Sequence, residues 1–173
     1  MRKRKNIGFR FKSGNAFLDM MMVLFVLLGL AIASLVGYKI FGDINTSIQS
    51  DDTLNNQSKA ITGDLYNRYP SFMDGAFVFV VGLLWVFVLV SSALIDSHPM
   101  FFIVSLILLI FAFIVVMLLS NTFEEISTDT EFGTTINSFP MTNFIMTHLL
   151  TVFIVMGSSI LIMLYGKNKF MGG

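Results

Sequence analysis

The chain has 173 residues, 55% of them hydrophobic and 13% charged, against roughly 25% charged in an ordinary soluble domain. Its apolar residues come in long blocks, which excludes a simple soluble globule with one core. The absence of cysteine excludes disulfides, thiolate metal sites and cysteine nucleophiles. The formal net charge is zero, but the charges are sorted along the chain, and that sorting carries the information.

The first segment, 1–16, opens with MRKRKNIGFRFK and holds Arg2, Lys3, Arg4, Lys5, Arg10 and Lys12 with no acid. Such a tail can serve topology alone, or it can also bind anionic lipid headgroups or nucleic acid. The apolar run Met20–Tyr38 follows, and a first span is expected over 17–41. Asp19 lies in its first turn, where the helix dipole favours a negative charge, and Lys39 at its other end can extend its stem toward water. Gly29, Ala33 and Gly37 recur at spacings of four, a line of small residues along which another helix can approach closely. The stretch KSGNAFLDMMMVLFVLL also resembles a type IV prepilin leader. The resemblance implies cleavage after Gly14, places Asp19 at the fifth position of the processed chain, and implies as an alternative function a pilin-like envelope assembly subunit. It departs from the prepilin pattern in having Asn15 in place of Phe and Asp in place of Glu, and in having four apolar runs rather than one.

An acidic loop is expected over 42–74, with Asp43, Asp51, Asp52, Asp64 and Asp74 against Lys59 and Arg68. Within it, Ile44 with Ile48 and Ile61 with Leu65 are spaced for short amphipathic turns or an extension of the first helix. Tyr66, Tyr69 and Pro70 precede the second span, 75–95, and tyrosine is typical of the membrane interface. Then comes ALIDSHPMFF, where Asp96, Ser97, His98 and Pro99 stand between two apolar runs. The residues fit a tight turn over 96–99: Asp96 or Ser97 can accept a hydrogen bond from a free N–H of the next helix, and Pro99 suits a first helical turn. The competing reading is a reactive carboxylate–imidazole pair.

The third span is expected over 100–120. A second acidic loop, 121–142, carries Glu124, Glu125, Asp129 and Glu131 and no base. The fourth span, 143–166, starts after Pro140, with Thr142 or Asn143 as a capping residue. His148 sits about one turn inside it and is expected to bond to a Glu or Thr of the preceding loop, or to water. Gly157, Ser158 and Ser159 form a second notch for helix packing, and Ser91 with Ser92 a weaker one in the second span. A short tail, 167–173, adds Lys167 and Lys169.

Each apolar run is long enough to cross about 30 Å of hydrocarbon as a helix, and none alternates as barrel strands do. The fold class is therefore all-α: a polytopic bundle of four transmembrane helices in a single membrane domain. Both basic tails belong on the cytoplasmic or inner side and both acidic loops outside, by the positive-inside rule. No charge lies in mid-span, which argues against ion-coupled transport. His98 and His148 fall at opposite ends of the bundle, and no residue set has metal-ligand spacing. No catalytic residue, cofactor or metal is expected.

IDSHPMFF, the Glu-bearing loop and FPMTNFIMTHLL…IMLYGK together resemble small multi-spanning membrane proteins of prokaryotic viruses, including tailless phages with an internal membrane. The resemblance covers about residues 75–167. It implies a virion or assembly component of an internal membrane, with basic tails toward the genome and acidic loops toward a capsid. Three functions follow for comparison. The first is a non-enzymatic structural or assembly protein that associates with itself or with other membrane or capsid proteins. The second is a holin-like pore or small channel, which needs a polar stripe along a helix. The third is a membrane enzyme, which needs acids, bases or histidines clustered at one depth. The residues favour the first, in a virion membrane or a prokaryotic inner membrane.

Overall fold

The computed structural model describes residues 16–94 and 100–170. In chain order they form α1 (Ala16–Ser50), α2 (Asn56–Leu94), α3 (Met100–Thr128), a 3-10 turn (Thr135–Ser138), α4 (Pro140–Thr147) and α5 (Leu149–Phe170), with no strand among the described residues. Three helices are long and apolar enough to cross a membrane, and α4 with α5 make a fourth if that bent pair is one crossing. The protein is thus all-helical, and three to four long apolar helices mark it as membrane-embedded. The basic residues Arg2, Lys3, Arg4, Lys5, Arg10 and Lys12, the leader-like Gly14 and the Asp96–Pro99 turn lie outside the described residues.

The buried core follows from helical spacing. Leu24, Leu27, Ala31 and Leu35 of α1 recur every three or four residues, as do Ala112, Val116, Leu119 and Phe123 of α3, so each set makes one stripe. They meet Phe77 and Val81 of α2 and Met146, Leu149 and Phe153 at the α4–α5 end. Large apolar side chains elsewhere, among them Phe79, Phe87, Phe111 and Ile162, face outward. A bilayer solvates such a surface as well as a protein core would, so packing rather than burial from water selects the inner stripe.

The acidic stretch 42–74, expected as a loop, is mostly helix. Helix α1 continues to Ser50 and α2 begins at Asn56, so the two form an antiparallel hairpin. At its tip Asp51 Oδ1 accepts from Thr53 N–H and Oγ–H, at 2.8 and 2.6 Å, and Asn55 Oδ1 accepts from Ser58 N–H at 2.8 Å. The first is an Asx turn and the second a cap on α2. Below the tip, Gln49 Nε2 donates to Lys59 O and Lys59 Nζ to Gln49 O. Pro70 lies inside α2, where it forgoes one helical hydrogen bond. At 35 residues, α1 is about 52 Å long, some 20 Å more than a hydrocarbon core requires.

The second acidic stretch is partly helical too, since α3 runs to Thr128. Asp129 then closes a turn, its Oδ1 accepting from Glu131 N–H at 2.9 Å and its carbonyl from Gly133 N–H at 2.8 Å. The expected continuous span over 143–166 is broken: α4 and α5 meet at 72° around His148. No proline or glycine marks the bend. Instead Thr147 Oγ–H donates to Asn143 O at 2.7 Å, and His148 Nδ1 lies 3.0 Å from Phe144 O. Side chains that compete for helix carbonyls in this way favour bending.

Candidate functional site

The polar side chains of greatest structural consequence gather at the acidic end of the bundle, around α4. Asp74 belongs to α2, yet only 6% of it is exposed. Its Oδ2 accepts from Met141 N–H at 3.0 Å and its Oδ1 from Thr142 N–H at 2.7 Å. Those are free donors of the first turn of α4, and a carboxylate there is doubly favoured, by charge-assisted bonds and by the helix dipole. Phe139, the residue before α4, supplies no side-chain cap. Thr142 and Asn143, expected as caps, lie inside α4 instead, and the Thr142 hydroxyl is buried without a hydrogen-bond partner.

The other end of α4 is held by α3. Ser120 Oγ–H donates to Met146 O at 3.0 Å and lies 3.4 Å from Thr147 O, carbonyls freed by the break at His148. A helix of eight residues is too short to be stable alone. Here α2 holds its N-terminus and α3 its C-terminus, so α4 is clamped between two other helices. Met141 and Phe144 on it remain exposed.

Beside α4 the hairpin is locked by aromatic rings. Tyr38 stacks on Tyr66 with centroids 4.8 Å apart, and Phe139 meets Tyr38 edge-on at 5.7 Å. Such pairs add about 0.5–1.5 kcal/mol each beyond burial. Gly37 makes room for this cluster, because a Cβ there would collide with the Tyr69 hydroxyl. Lys39 does not run free along its own helix: its Nζ is 2.6 Å from Glu131 Oε2 and 5.3 Å from the centre of the Phe132 ring. That pair is partly exposed and contributes modestly.

The remaining residues singled out from sequence fall in different settings. Gly157 is buried, and a Cβ there would lie 3.2 Å from Leu109 Cδ1 of α3. Ser158 is exposed. Its neighbour Ser159 makes the cross-helix bond, accepting from Trp85 Nε1–H of α2 at 3.1 Å. Gly29 and Ala33 are exposed, and nothing lies within 4 Å of a Cβ at Gly29. His148 stacks on Phe144 at 4.7 Å and bonds to α4 itself, through Phe144 O and Thr147 Oγ; the bond to the 121–142 loop is not formed.

An apolar crevice of about 20 Å³ lies between α1, α2 and α5, lined by residues such as Leu24, Val81 and Phe153. It has room for about one water and no polar partner for it. Among the described residues, no three of His, Cys, Asp and Glu are grouped to hold a metal ion. Sequence reasoning missed Asp74, Ser120 and Trp85. Asp74 carried a faint signal: it stands four residues after Pro70 and directly before an uncharged run, at the expected membrane boundary. No family model, curated protein or solved structure matches this chain.

Proposed function

We propose that the chain is a non-enzymatic structural or assembly protein that crosses its membrane four times. In this reading α5 makes the fourth crossing, α4 lies near the acidic interface, and both basic tails are on the inner side. The observation that carries the proposal is the α1–α2 hairpin. From Lys39 to Ser50, α1 extends about 18 Å past the uncharged run that ends at Tyr38, and the Tyr38–Phe139 contact, the Lys39–Glu131 pair and the Asp74 contact brace the hairpin against the rest of the fold. A braced rod presents side chains at a set height above the bilayer, which suits contact with another macromolecule. The polar side chains nearest it hold helix to helix.

A virion membrane is the favoured setting. The sorted charges fit a particle in which the inner tail meets nucleic acid or anionic lipid and the acidic hairpin meets a capsid protein. The resemblance of IDSHPMFF and FPMTNFIMTHLL to prokaryotic-virus membrane proteins supports the same choice. Quantitative mass spectrometry on gradient-purified particles, against the host inner-membrane fraction, tests it. Strong enrichment in particles is expected. Confinement to the host membrane would overturn the virion assignment, and permeabilisation of that membrane on expression would replace it with a holin-like pore.

A further inference from the structure

We propose that the open face of the α1–α2 hairpin is a self-association surface, on which a second copy of this chain packs across the bilayer and for about 10–15 Å beyond it. This deepens the assembly reading and rests on it.

The face follows from the helix pairing. Phe41 and Tyr66 pack against each other across the hairpin, with centroids 6.1 Å apart. Helix residues turn by 100° each, and the two helices run in opposite directions. The residue before each facing position is therefore turned to the same side: Ile40 before Phe41, and Leu65 before Tyr66. One turn further on, Ile44 and Ile61 join them. All four are about half exposed, with Ile44 at 47% and Leu65 at 54%, and Phe72 nearby is 73% exposed. The opposite side of the hairpin is covered, by Phe139 on Tyr38 and by Glu131 on Lys39.

Ile44, Ile61 and Leu65 of this patch lie past the membrane-length apolar runs, among Asp43, Asp64 and Arg68. Exposed apolar residues need no partner in a bilayer, but a cluster of them in water marks an interaction surface. Charged residues border it. Arg68, three residues after Leu65 and seven after Ile61, stands on the same side of α2 and is paired with Asp64 at 3.0 Å, and Asp43 is exposed beside the patch.

The patch is also continuous with an exposed line inside the membrane. Met22, Val26, Gly29, Ala33, Val36 and Ile40 are all exposed, at alternating spacings of four and three. That is the period of a helix seam in a left-handed pair. Gly29, with nothing within 4 Å of its Cβ position, leaves an open notch at the centre. From Met22 to Ile44 the face is about 33 Å long, and two helices 8–10 Å apart make it about 20 Å wide. Roughly 650 Å² per copy, or 1,300 Å² for a pair, falls in the range of specific interfaces.

The chain has no cysteine, so single cysteines can be placed without background. Ala33→Cys, Ile40→Cys, Ile44→Cys and Leu65→Cys would each be oxidised in proteoliposomes at high lipid excess, beside Asp64→Cys and Ile114→Cys as exposed controls off the face. The expected result is a dimer-mass product at one or more face positions, at least fivefold above both controls. Adding Gly29→Leu should lower it at least threefold while circular dichroism shows the helix content unchanged. Cross-linking at face positions no greater than at the controls would overturn the proposal. So would adducts in native membranes carrying the mass of a different protein. The two readings fail separately: without cross-links but with particle enrichment, the assembly role stands and this face is wrong, whereas the reverse leaves the face standing and removes the virion role.

Discussion

Replacing Asp74 by alanine removes the acceptor for two N–H groups at the start of α4. Hydrogen bonds to charged groups contribute about 1.5–3 kcal/mol each, and losing a helix cap costs about 0.5–2 kcal/mol. The two bonds at 3.0 and 2.7 Å share one carboxylate, and water reaching the vacated site would recover part of the loss. A net cost of about 2–3 kcal/mol is expected, localised to α4. That corresponds to roughly a 30- to 150-fold rise in local opening. Hydrogen–deuterium exchange of the protein in lipid nanodiscs reads it directly: the Met141 and Thr142 amides should lose protection by that factor, while the middle of α3 stays unchanged. Asp74→Asn keeps one carbonyl acceptor and should fall between. Unchanged protection of both amides in Asp74→Ala would refute the reasoning, because it would mean that α4 is held by its apolar contacts alone.

Four further outcomes are expected. Thr142→Val removes a buried hydroxyl that has no partner, and should raise stability by about 1 kcal/mol in a denaturant titration of the reconstituted protein. Gly37→Leu drives a side chain into Tyr69 and should cost about 1–3 kcal/mol by overpacking; Gly82→Leu, where nothing lies within 4 Å, is the control that should stay near neutral in the same titration. Ser159→Ala deprives Trp85, the single tryptophan, of its acceptor, and should cost about 0.6 kcal/mol, typical of bonds between membrane helices, together with a shift in tryptophan emission. At the hairpin tip, hydrogen bonds from Thr53 hold the Asp51 carboxyl below its ordinary 3.8. A depressed carboxylate adds stability above its unfolded value and loses it as pH falls through the folded one. An NMR titration should therefore show the Asp51 midpoint rise toward 3.8 in Thr53→Val.

Part of the candidate site was legible before any fold was known. Gly37 and Gly157 marked close approaches, because residue type and spacing act over a few neighbours, while Tyr66, Tyr69 and Pro70, read as preceding a span, lie inside α2. The hairpin was read only in part: the Ile44–Ile48 and Ile61–Leu65 spacings offered an extension of the first helix, but Pro70 and a run of Asp, Asn, Ser and Thr usually signal a loop. The tip chemistry of Asp51 and Asn55 could have revealed two helices joined by a short turn. Asp74 looked like one more solvated acid, since nothing near it in the chain shows that Met141 and Thr142 will meet it.

The sequence by itself determined that this is a helical membrane protein with strongly sorted charge. Apolar length, the missing alternation and the placement of Lys and Arg are all one-dimensional properties, and lipid tolerates only helices or closed barrels. Only the tertiary structure decided which small residues pack and which stay open, that the last apolar run bends by 72° at His148, and that Asp74 and Ser120 clamp α4 from two different helices. Those outcomes depend on pairs of groups many residues apart. Their hydrogen bonds and close contacts exist only once the helices have chosen their neighbours, because local spacing sets a helix's faces but not what each face will meet.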